Sequence, residues 1–225
     1  MKNEELQYKF WEKDKSDRRN VGHPAVEYIY KNMAIKLKTL LDGPIDSILD
    51  CGCGNGFFQT YLSEVFGLEC AGIDFSKEMI RLNPNPRTYL ASVTKIPFKD
   101  NSFDLVTCSE LLHHLPRNQQ QSAVKEMKRV AKSYIFISEP NRNNLANLLF
   151  FLLKPEEKGG LIFTKNYLNN LCSQHNDLII IKSYKDSFVL PNKTPMIIFP
   201  FMKFLDKSFL SSWLGFAVNI LCKKK

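Results

Sequence analysis

The stretch that decides the fold is ILDCGCGNG, residues 48–56. The apolar residues before Asp50 are typical of a buried parallel strand, and alternating glycines follow at once. Residues 57–66 then carry apolar side chains at helical spacing. A strand, a glycine turn and a helix form a cradle for a cofactor, because glycines let a ligand approach the backbone and the helix start presents N–H groups.

Length and composition indicate a globular protein. A chain of 225 residues fits one domain with a full core and an insertion, and 44% apolar with 24% charged residues is the composition of folded chains. The first twenty residues are charged and contain no apolar segment of a secretory signal. The longest apolar run, LLFFLL at 148–153, is far shorter than a membrane span. We therefore expect a cytoplasmic protein.

The cysteines give no metal-binding pattern. Six are scattered along the chain, and none forms a Cys-x-x-Cys pair. Cys51 and Cys53 could be a redox or metal pair, but we interpret them as small apolar residues beside the glycines in a reducing compartment. The acids are not clustered with an Asn at strand ends either, so we predict no metal site.

The charge is unevenly distributed. The formal net charge is +8, and residues 143–225 hold eleven lysines, no arginine and five acids. The same part of the chain is rich in aromatic residues. Such a surface can contact nucleic acid, an anionic membrane or only water.

The rest of the chain alternates predicted strands and helices. Residues 1–41 are predicted to be helical with a polar break at 16–24. Strands are predicted at 47–50, 69–73, 88–92, 103–108 and 134–138, and helices at 57–66, 76–82 and 116–132. Two short helices are predicted within 141–176, then a bent strand at 177–189, a helix at 199–213 and a strand at 215–222. This alternation predicts an α/β fold with a parallel sheet.

The glycine spacing argues against a dinucleotide cofactor. The dinucleotide fingerprint Gly-x-Gly-x-x-Gly requires a third glycine at position 57, where this chain has Phe57. The carboxylate of Asp50 would also repel a pyrophosphate. A cofactor with a positive centre or a free amine is favoured instead.

The motifs resemble those of the class I S-adenosylmethionine-dependent methyltransferases, in the broad small-molecule branch of methyltransferase type 11. The family's acid-x-Gly-x-Gly-x-Gly motif matches DCGCGNG at 50–56, and its second acid matches Asp74 in GIDFS at 72–76. The loop IPF at 96–98 with NSFD at 101–104, and ELLHHL at 110–115, are also similar. The resemblance covers about residues 47–140.

The resemblance implies a fold and a domain organisation. The fold is a Rossmann-like three-layer sandwich with a seven-stranded, mostly parallel sheet, an antiparallel last strand, an N-terminal helical cap and an insertion after the fifth strand. We expect residues 1–225 to form a single methyltransferase domain. It divides into a cap (1–42), a cofactor-binding half (43–140) and an acceptor-side part with the insertion and last strands (141–225).

The resemblance also assigns binding roles for S-adenosyl-L-methionine and its product S-adenosyl-L-homocysteine. Asp50 and the loop backbone would hold the amino-acid end of the cofactor, and Asp74 would accept hydrogen bonds from the ribose hydroxyls. Many relatives have an Asp after the third strand for the adenine amine, whereas this chain has Ser92. The cofactor-binding residues implied are Asp50, Gly52, Cys53, Gly54, Gly56, Asp74, Phe75, Met79, Ser92, Val93 and Ser109.

Catalysis does not demand a particular residue, because the cofactor supplies the reactivity and positioning supplies much of the acceleration. A base is useful when the acceptor is a hydroxyl. His113 and His114 follow the fourth strand, so either is a candidate base, with a structural role in the turn as the alternative. Glu110 and Glu139 could each orient the cofactor or a neighbouring N–H, or act on substrate.

The acceptor is expected to be a small molecule, bound by the N-terminal helices and the insertion. Candidates near the start to close over the cofactor are Trp11, Arg18, Arg19, His23 and Tyr28. Apolar runs at 145–153 and 196–205 lie among lysines, which favours a hydrophobic or lipid-linked acceptor and contact with an anionic membrane; burial in the core is the alternative. Nucleic acid is not expected. A non-catalytic S-adenosylmethionine-binding module and an NAD-type oxidoreductase remain as alternative functions.

Overall fold

The computed structural model describes residues 7, 9–13, 19–190 and 194–225, with residues 209 and 210 described by their backbone only. Strands and helices alternate through the first part of the chain. The helices are α1 (Pro24–Leu40), α2 (Phe57–Phe66), α3 (Lys77–Leu82), α4 (Arg117–Val130), α5 (Leu145–Leu153), α6 (Lys165–Ser173), α7 (Phe199–Asp206) and α8 (Phe209–Leu214). The strands are β1 (Ile48–Cys51), β2 (Ala71–Asp74), β3 (Thr88–Leu90), β4 (Phe103–Ser109), β5 (Ala131–Pro140), β6 (Leu178–Asp186) and β7 (Ala217–Lys224).

The seven strands form one sheet in the order β3-β2-β1-β4-β5-β7-β6. Strands β1 to β5 pair in parallel, and β7 runs antiparallel to both of its neighbours. This arrangement confirms the predicted Rossmann-like sandwich with its antiparallel last strand. The order reverses at β1, so the carboxyl ends of β1 and β4 flank a crevice where ligands of open α/β sheets bind.

The core lies on both faces of the sheet, because successive strand residues point to opposite sides. Ile48 and Leu105 pack on one face with α1 and α2, whereas Leu49 and Val106 pack on the other. All four of these side chains are almost completely buried. This burial on both faces explains the continuous apolar runs by which the central strands were predicted.

Two elements differ from the prediction. The helix expected at 199–213 is broken into α7 and α8, because the Ser208 hydroxyl and N–H both donate to the Leu205 carbonyl and close the first helix. The sixth strand is bent as expected, with a register shift between Ile180 and Lys182. The other boundaries move by a few residues, the largest change being the extension of β5 to Ala131–Pro140.

The insertion after β5 consists of α5, a 3-10 helix at Pro155–Ile162, and α6. Two glycines allow the 3-10 helix to pack tightly. A Cβ atom on Gly159 would lie 1.7 Å from the His113 carbonyl oxygen, and one on Gly160 would lie 2.4 Å from the Phe151 ring. The insertion therefore packs so closely against the segment after β4 that a side chain at Gly159 would collide with it.

In the part of the chain that the structure describes, no helix has both the length and the apolar character needed to cross a membrane.

Candidate active site

A cavity of about 1290 Å³ opens at the carboxyl ends of the central strands. It is bordered by the glycine loop after β1, the segment after β4, and helix α5 of the insertion. Pockets for single ligands usually measure about 300–1,000 Å³. This cavity therefore has room for two ligands side by side.

The glycine loop forms one wall through backbone conformations that other residues avoid. Gly52 and Gly54 have φ values of 72° and 51°, in the left-handed region. A Cβ on Gly54 would meet nothing within 4 Å, so a ligand can approach its backbone. From behind, the Asn83 side-chain amide donates to the Gly54 carbonyl at 3.0 Å. Asn83 supports the loop but was missed, since an Asn before a Pro indicates only a turn.

Asp74 lies at the end of β2 with its carboxylate beside the glycine loop. It accepts hydrogen bonds at 2.9 Å from the N–H of Gly54 and from the N–H of Ser76. The residue is only 8% exposed and lines the cavity. An ionised carboxylate accepts up to about four hydrogen bonds, so ligand hydroxyls can join the backbone donors.

Asp50 begins the glycine motif and is 2% exposed. Burial raises the pKa of its carboxyl to about 7; the Thr107 hydroxyl, which donates to it at 2.8 Å, opposes the shift, and Asp74 adds to it. The carboxyl therefore changes charge near neutral pH. A cation bound in the cavity would favour its ionised form.

The other residues predicted to bind cofactor fall into two groups. Gly56 is not part of the cavity wall: it caps α2 with a φ of 88°, and its N–H donates to the Cys53 carbonyl. The Ser109 Oγ is buried at the cavity with no hydrogen-bond partner among the described residues. The predicted residues that line the cavity are Asp50, Gly52, Cys53, Gly54, Asp74, Phe75, Met79, Ser92, Val93 and Ser109.

Ser92 is in the cavity wall, but its hydroxyl already takes part in a local turn with Thr94. Cys51 and Cys53 are buried free thiols, and burial raises the pKa of both. These two cysteines behave as small apolar residues, which agrees with the interpretation from the sequence.

Glu139, fully buried at the end of β5, holds the segment after β4. Its carboxylate accepts the N–H groups of Leu111 and Leu112 at 3.1 and 2.7 Å, at the start of a 3-10 helix at Leu112–His114. It also lies 2.7 Å from Nδ1 of His113. Of the two roles considered for Glu139, the structure shows the one that orients neighbouring N–H groups.

His113 lies between two carboxylates. Its Nδ1 faces Glu139 at 2.7 Å, and its Nε2 lies 3.3 Å from Oε2 of Glu157, on the insertion. Burial alone would lower the pKa of His113, but the two glutamates outweigh it and raise the pKa to about 10. Both ring nitrogens therefore face carboxylates that favour the protonated ring, which makes His113 unsuited to accept a proton as a base.

His114 lies in the same wall of the cavity. Its ring is 3.9 Å from the His113 ring between centroids, and Trp11 packs edge-on against it at 5.2 Å. One ligand atom from each of His113, His114 and Glu157 lies within 4.8 Å of the others. The sequence did not reveal this group, because Glu157 comes from the insertion.

Of the N-terminal residues expected to close over the cofactor, some line the cavity and others do not. Trp11 and Arg19 line the cavity, and Arg19 is held by the Thr194 carbonyl at 2.8 Å. His23 instead caps α1 through Nδ1, and Tyr28 packs edge-on against Phe199, so neither lines the cavity. Arg18 lies outside the described residues.

Helix α5 is apolar on two faces. Its inner face carries Phe150 and Phe151 toward the cavity. Its outer side holds large apolar side chains in solvent, and so do the residues around α7 and α8. We call these exposed side chains together the apolar outer face. Its most exposed members are Leu145, Leu149, Leu152, Leu153, Ile197, Phe201, Phe204 and Trp213. The expectation that these runs belong to the acceptor side is consistent with this position, whereas core burial holds only for some of them.

Comparisons with known proteins agree with the site. Residues 49–135 match the sequence model of a family described as a methyltransferase domain. Norajmaline N-methyltransferase of Rauvolfia serpentina is 28% identical over 158 residues, which cover 62% of this chain and 53% of that protein. Demethylmenaquinone methyltransferase of Staphylococcus aureus is 37% identical over 93 residues, 37% of this chain and 38% of that protein. The chain thus spans about half, or less, of these curated relatives.

Solved structures share the fold. Magnesium protoporphyrin IX methyltransferase of Synechocystis PCC 6803, solved with bound S-adenosylmethionine, superposes with a TM-score of 0.64 at 12% identity and covers 100% of this chain and 98% of that one. The motifs, the sheet order and the match over residues 49–135 together support a class I S-adenosylmethionine-dependent methyltransferase.

Proposed function

We propose that this protein transfers a methyl group from S-adenosylmethionine to an oxygen or nitrogen of a small acceptor with a large apolar part. The observation that carries the proposal is the pair of buried acids, Asp50 and Asp74, on either side of an open glycine loop in one cavity.

The residues present fit this cofactor. S-adenosylmethionine has a cationic sulfonium and an amino group at one end and a ribose in the middle. Asp50 is suited to the cationic end, since a positive group would offset the cost of its buried charge. Asp74 is suited to the ribose hydroxyls, and the Ser109 hydroxyl offers a further buried polar atom at the cavity. The family relationship supports the same cofactor.

When bound, the cofactor supplies an electrophilic methyl group. The chain's own contribution would be to hold the acceptor in line with it and to exclude water, which can account for a large rate increase. His113 is unsuited to the role of base because both its nitrogens face carboxylates. His114, which lines the cavity, is the remaining candidate among the two histidines.

The acceptor side of the cavity supports an apolar substrate. Phe150 and Phe151 line it from α5, and Val189, Leu190 and Phe216 line it from the last part of the chain. Two relatives are named for small-molecule methylation, of norajmaline and of demethylmenaquinone. Those names support the class of acceptor but not its identity.

The apolar outer face favours delivery of the acceptor from a membrane surface. A helix that is apolar all round is normally buried, but α5 leaves Leu149 and Leu153 52% and 77% exposed. Lys154 and Lys158 follow in the same segment, and Lys203 and Lys207 lie on or next to α7. Exposed apolar side chains among lysines suit an anionic bilayer, with the cation heads near the phosphates.

The catalytic proposal is tested by calorimetry with S-adenosylmethionine and S-adenosylhomocysteine, followed by a labelled-methyl screen against small-molecule extracts. Binding of both with transfer to an extractable apolar product supports the proposal. Binding without any transfer would instead indicate a non-catalytic module. Binding of NADH and not of S-adenosylmethionine would indicate an oxidoreductase.

The membrane part is tested by flotation with vesicles of phosphatidylcholine and phosphatidylglycerol. Leu149→Ser with Leu153→Ser should reduce binding at least about tenfold, since each buried leucine contributes about 1.5–3 kcal/mol. Ile35→Ser, which changes a half-exposed residue of α1, is the matched control and should not change binding. No flotation of the native chain at low salt would overturn this part alone.

A further inference from the structure

We propose that His113, His114 and Glu157 form a binding site for a divalent transition-metal ion, with zinc as the first choice. The proposal goes beyond methyl transfer and does not depend on it. It differs from our sequence-based prediction of no metal site, which considered cysteine pairs and clusters of acids.

The ligand set and its spacing are those of a metal site. Two imidazoles and one carboxylate suit zinc and similar ions, which bind nitrogen and oxygen at about 2.0–2.2 Å. Two ligands at that distance around a tetrahedral ion lie about 3.3 Å apart. Nε2 of His113 and Oε2 of Glu157 are separated by 3.3 Å. One ligand atom from each of His113, His114 and Glu157 lies within 4.8 Å of the other two, so the three side chains are close enough to share an ion.

The residues around His113 orient its ring in the way that metal-binding histidines are usually oriented. Metal-bound histidines usually donate the other ring N–H to a carboxylate, which fixes the tautomer and the ring orientation. Here Nδ1 of His113 faces the Glu139 carboxylate at 2.7 Å, so Nε2 is directed toward Glu157. The backbone N–H groups of Leu111 and Leu112 hold Glu139 itself in place.

The insertion is built to bring the third ligand in. Glu157 lies on the 3-10 helix at Pro155–Ile162, and Gly159 lets that helix contact the His113 backbone where any side chain would collide. The Glu157 side chain is 18% exposed, against 2% for that of His113. The site is therefore shielded from bulk water and faces the cavity.

The charges of the group favour a dication. Glu139 and Glu157 bring two carboxylates to the same ring, at 2.7 and 3.3 Å from the two nitrogens of His113. A dication on Nε2 would replace one proton, which passes to solvent, and would balance both carboxylates. Buried charges are tolerated when they are compensated in this way or coordinate a metal.

Three protein ligands leave at least one coordination position open toward the cavity, as in catalytic rather than structural zinc sites. An acceptor hydroxyl bound there would become more acidic and so a better nucleophile. That use of the ion, unlike its binding, rests on the proposed methyl transfer.

The test uses the full chain without an affinity tag, stripped with a chelator, and titrated with Zn²⁺ against a chromogenic chelator; Co²⁺ then reports the ligand geometry by its visible absorption. We expect one equivalent bound per chain. Glu157→Gln should weaken Zn²⁺ binding by more than about tenfold, since changes even in outer-sphere partners cost 10–100-fold. Glu156→Gln, one residue away, is the matched control and should bind as the native chain does.

Thermal unfolding of both variants shows whether they fold. No stoichiometric binding, or equal binding by native and Glu157→Gln chains that are both folded, would overturn the proposal. A loss in Glu156→Gln equal to that in Glu157→Gln would also overturn it. S-adenosylhomocysteine binding is measured separately on the metal-free chain, so failure of the metal site and failure of the proposed function give different results.

Discussion

The cofactor side of the cavity and the apolar outer face differ in how their side chains are arranged. On the cofactor side, the acids and the glycine loop hold each other: Gly54 donates to Asp74, and Thr107 donates to Asp50. On the apolar outer face, Ile197 and Phe204 are 90% and 71% exposed. The two acids on the cofactor side therefore have hydrogen-bond partners within the chain. The apolar outer face instead leaves surface that a ligand or membrane would cover.

This difference indicates which region is preorganised for a ligand and which is not. A site whose polar groups are already positioned loses little conformational freedom when its ligand binds. An exposed apolar surface gives up area to whatever apolar molecule meets it, with little discrimination among shapes. We therefore expect changes on the cofactor side to alter ligand affinity strongly, and changes on the outer face to alter the folded chain little.

The largest effect should come from moving the insertion away from the segment that follows β4. Gly159→Val would place side-chain atoms where the His113 carbonyl now lies, so the 3-10 helix must move away. We expect a loss of about 3 kcal/mol in the free energy of unfolding, from overpacking. Chemical denaturation measures it. Gly43→Ala is the control, because its Cβ would make only an ordinary contact, 3.6 Å from the Tyr134 hydroxyl; equal losses in both variants would contradict the close packing.

The next effect concerns Asp74, the acid proposed to bind the ribose. Asp74→Ala should weaken S-adenosylhomocysteine binding by about 1–3 kcal/mol, from the loss of charge-assisted hydrogen bonds. Calorimetry gives the affinity, with Asp100→Ala, an exposed acid, as control. Because Asp74 also accepts the Gly54 N–H, Asp74→Asn is the second variant, and it retains one acceptor oxygen. Native affinity in a folded Asp74→Ala chain would remove this role.

The third effect depends on pH through Asp50. Its pKa is raised to about 7 in the ligand-free fold, so a cationic cofactor must release its proton below that pH. Affinity for S-adenosylmethionine should fall up to about tenfold per pH unit below 7 and level off above 7. Calorimetry in buffers of different ionisation enthalpy would detect the released proton. A profile unchanged in Asp50→Asn would assign the titration to another group.

The same shift has a consequence for stability. A carboxyl whose folded pKa lies above its unfolded value favours folding when protonated, and this contribution is lost as the pH rises toward 7. Asp50→Asn should therefore raise the melting temperature of the ligand-free chain more at pH 8 than at pH 5. A larger gain at pH 5 would reverse the sign and contradict the burial of an ionised Asp50.

The smallest effect is expected on the apolar outer face. Leu149→Ser with Leu153→Ser should change the free energy of unfolding by only about 0.5 kcal/mol per site, because both side chains are already in solvent. Phe151→Ser, on the buried face of the same helix, is the contrasting variant. If the two outer leucines cost as much as Phe151, the face would be part of the core.

Much of the fold and the cofactor side could be predicted from local patterns. The run around Asp50, the glycines and the acid at Asp74 lie within single strand-to-helix turns, where spacing dictates geometry. The left-handed φ of Gly56 lies at the start of α2, a position that the glycine spacing alone does not reveal. The broken helix at Ser208 was missed because a hydroxyl that competes for a carbonyl leaves no periodic trace.

The histidines show the limit of such reasoning. The pair was recognised as standing at a strand end, but its electrostatic state depends on Glu139 and Glu157, which are far away in the sequence. A histidine that acts as a base and a histidine held between two carboxylates have the same sequence pattern. Only the position of the carboxylates distinguishes them.

Local patterns in the sequence were enough to predict the strand–glycine–helix cradle and the positions of Asp50 and Asp74 beside it. These features follow from backbone periodicity and from φ values that only glycine adopts readily. Three other features depend on the folded chain: the insertion packs on the His113 backbone, Glu157 faces His113, and α5 is exposed on one side. Those outcomes depend on packing between distant segments, whose contacts and desolvation are not encoded in any local spacing.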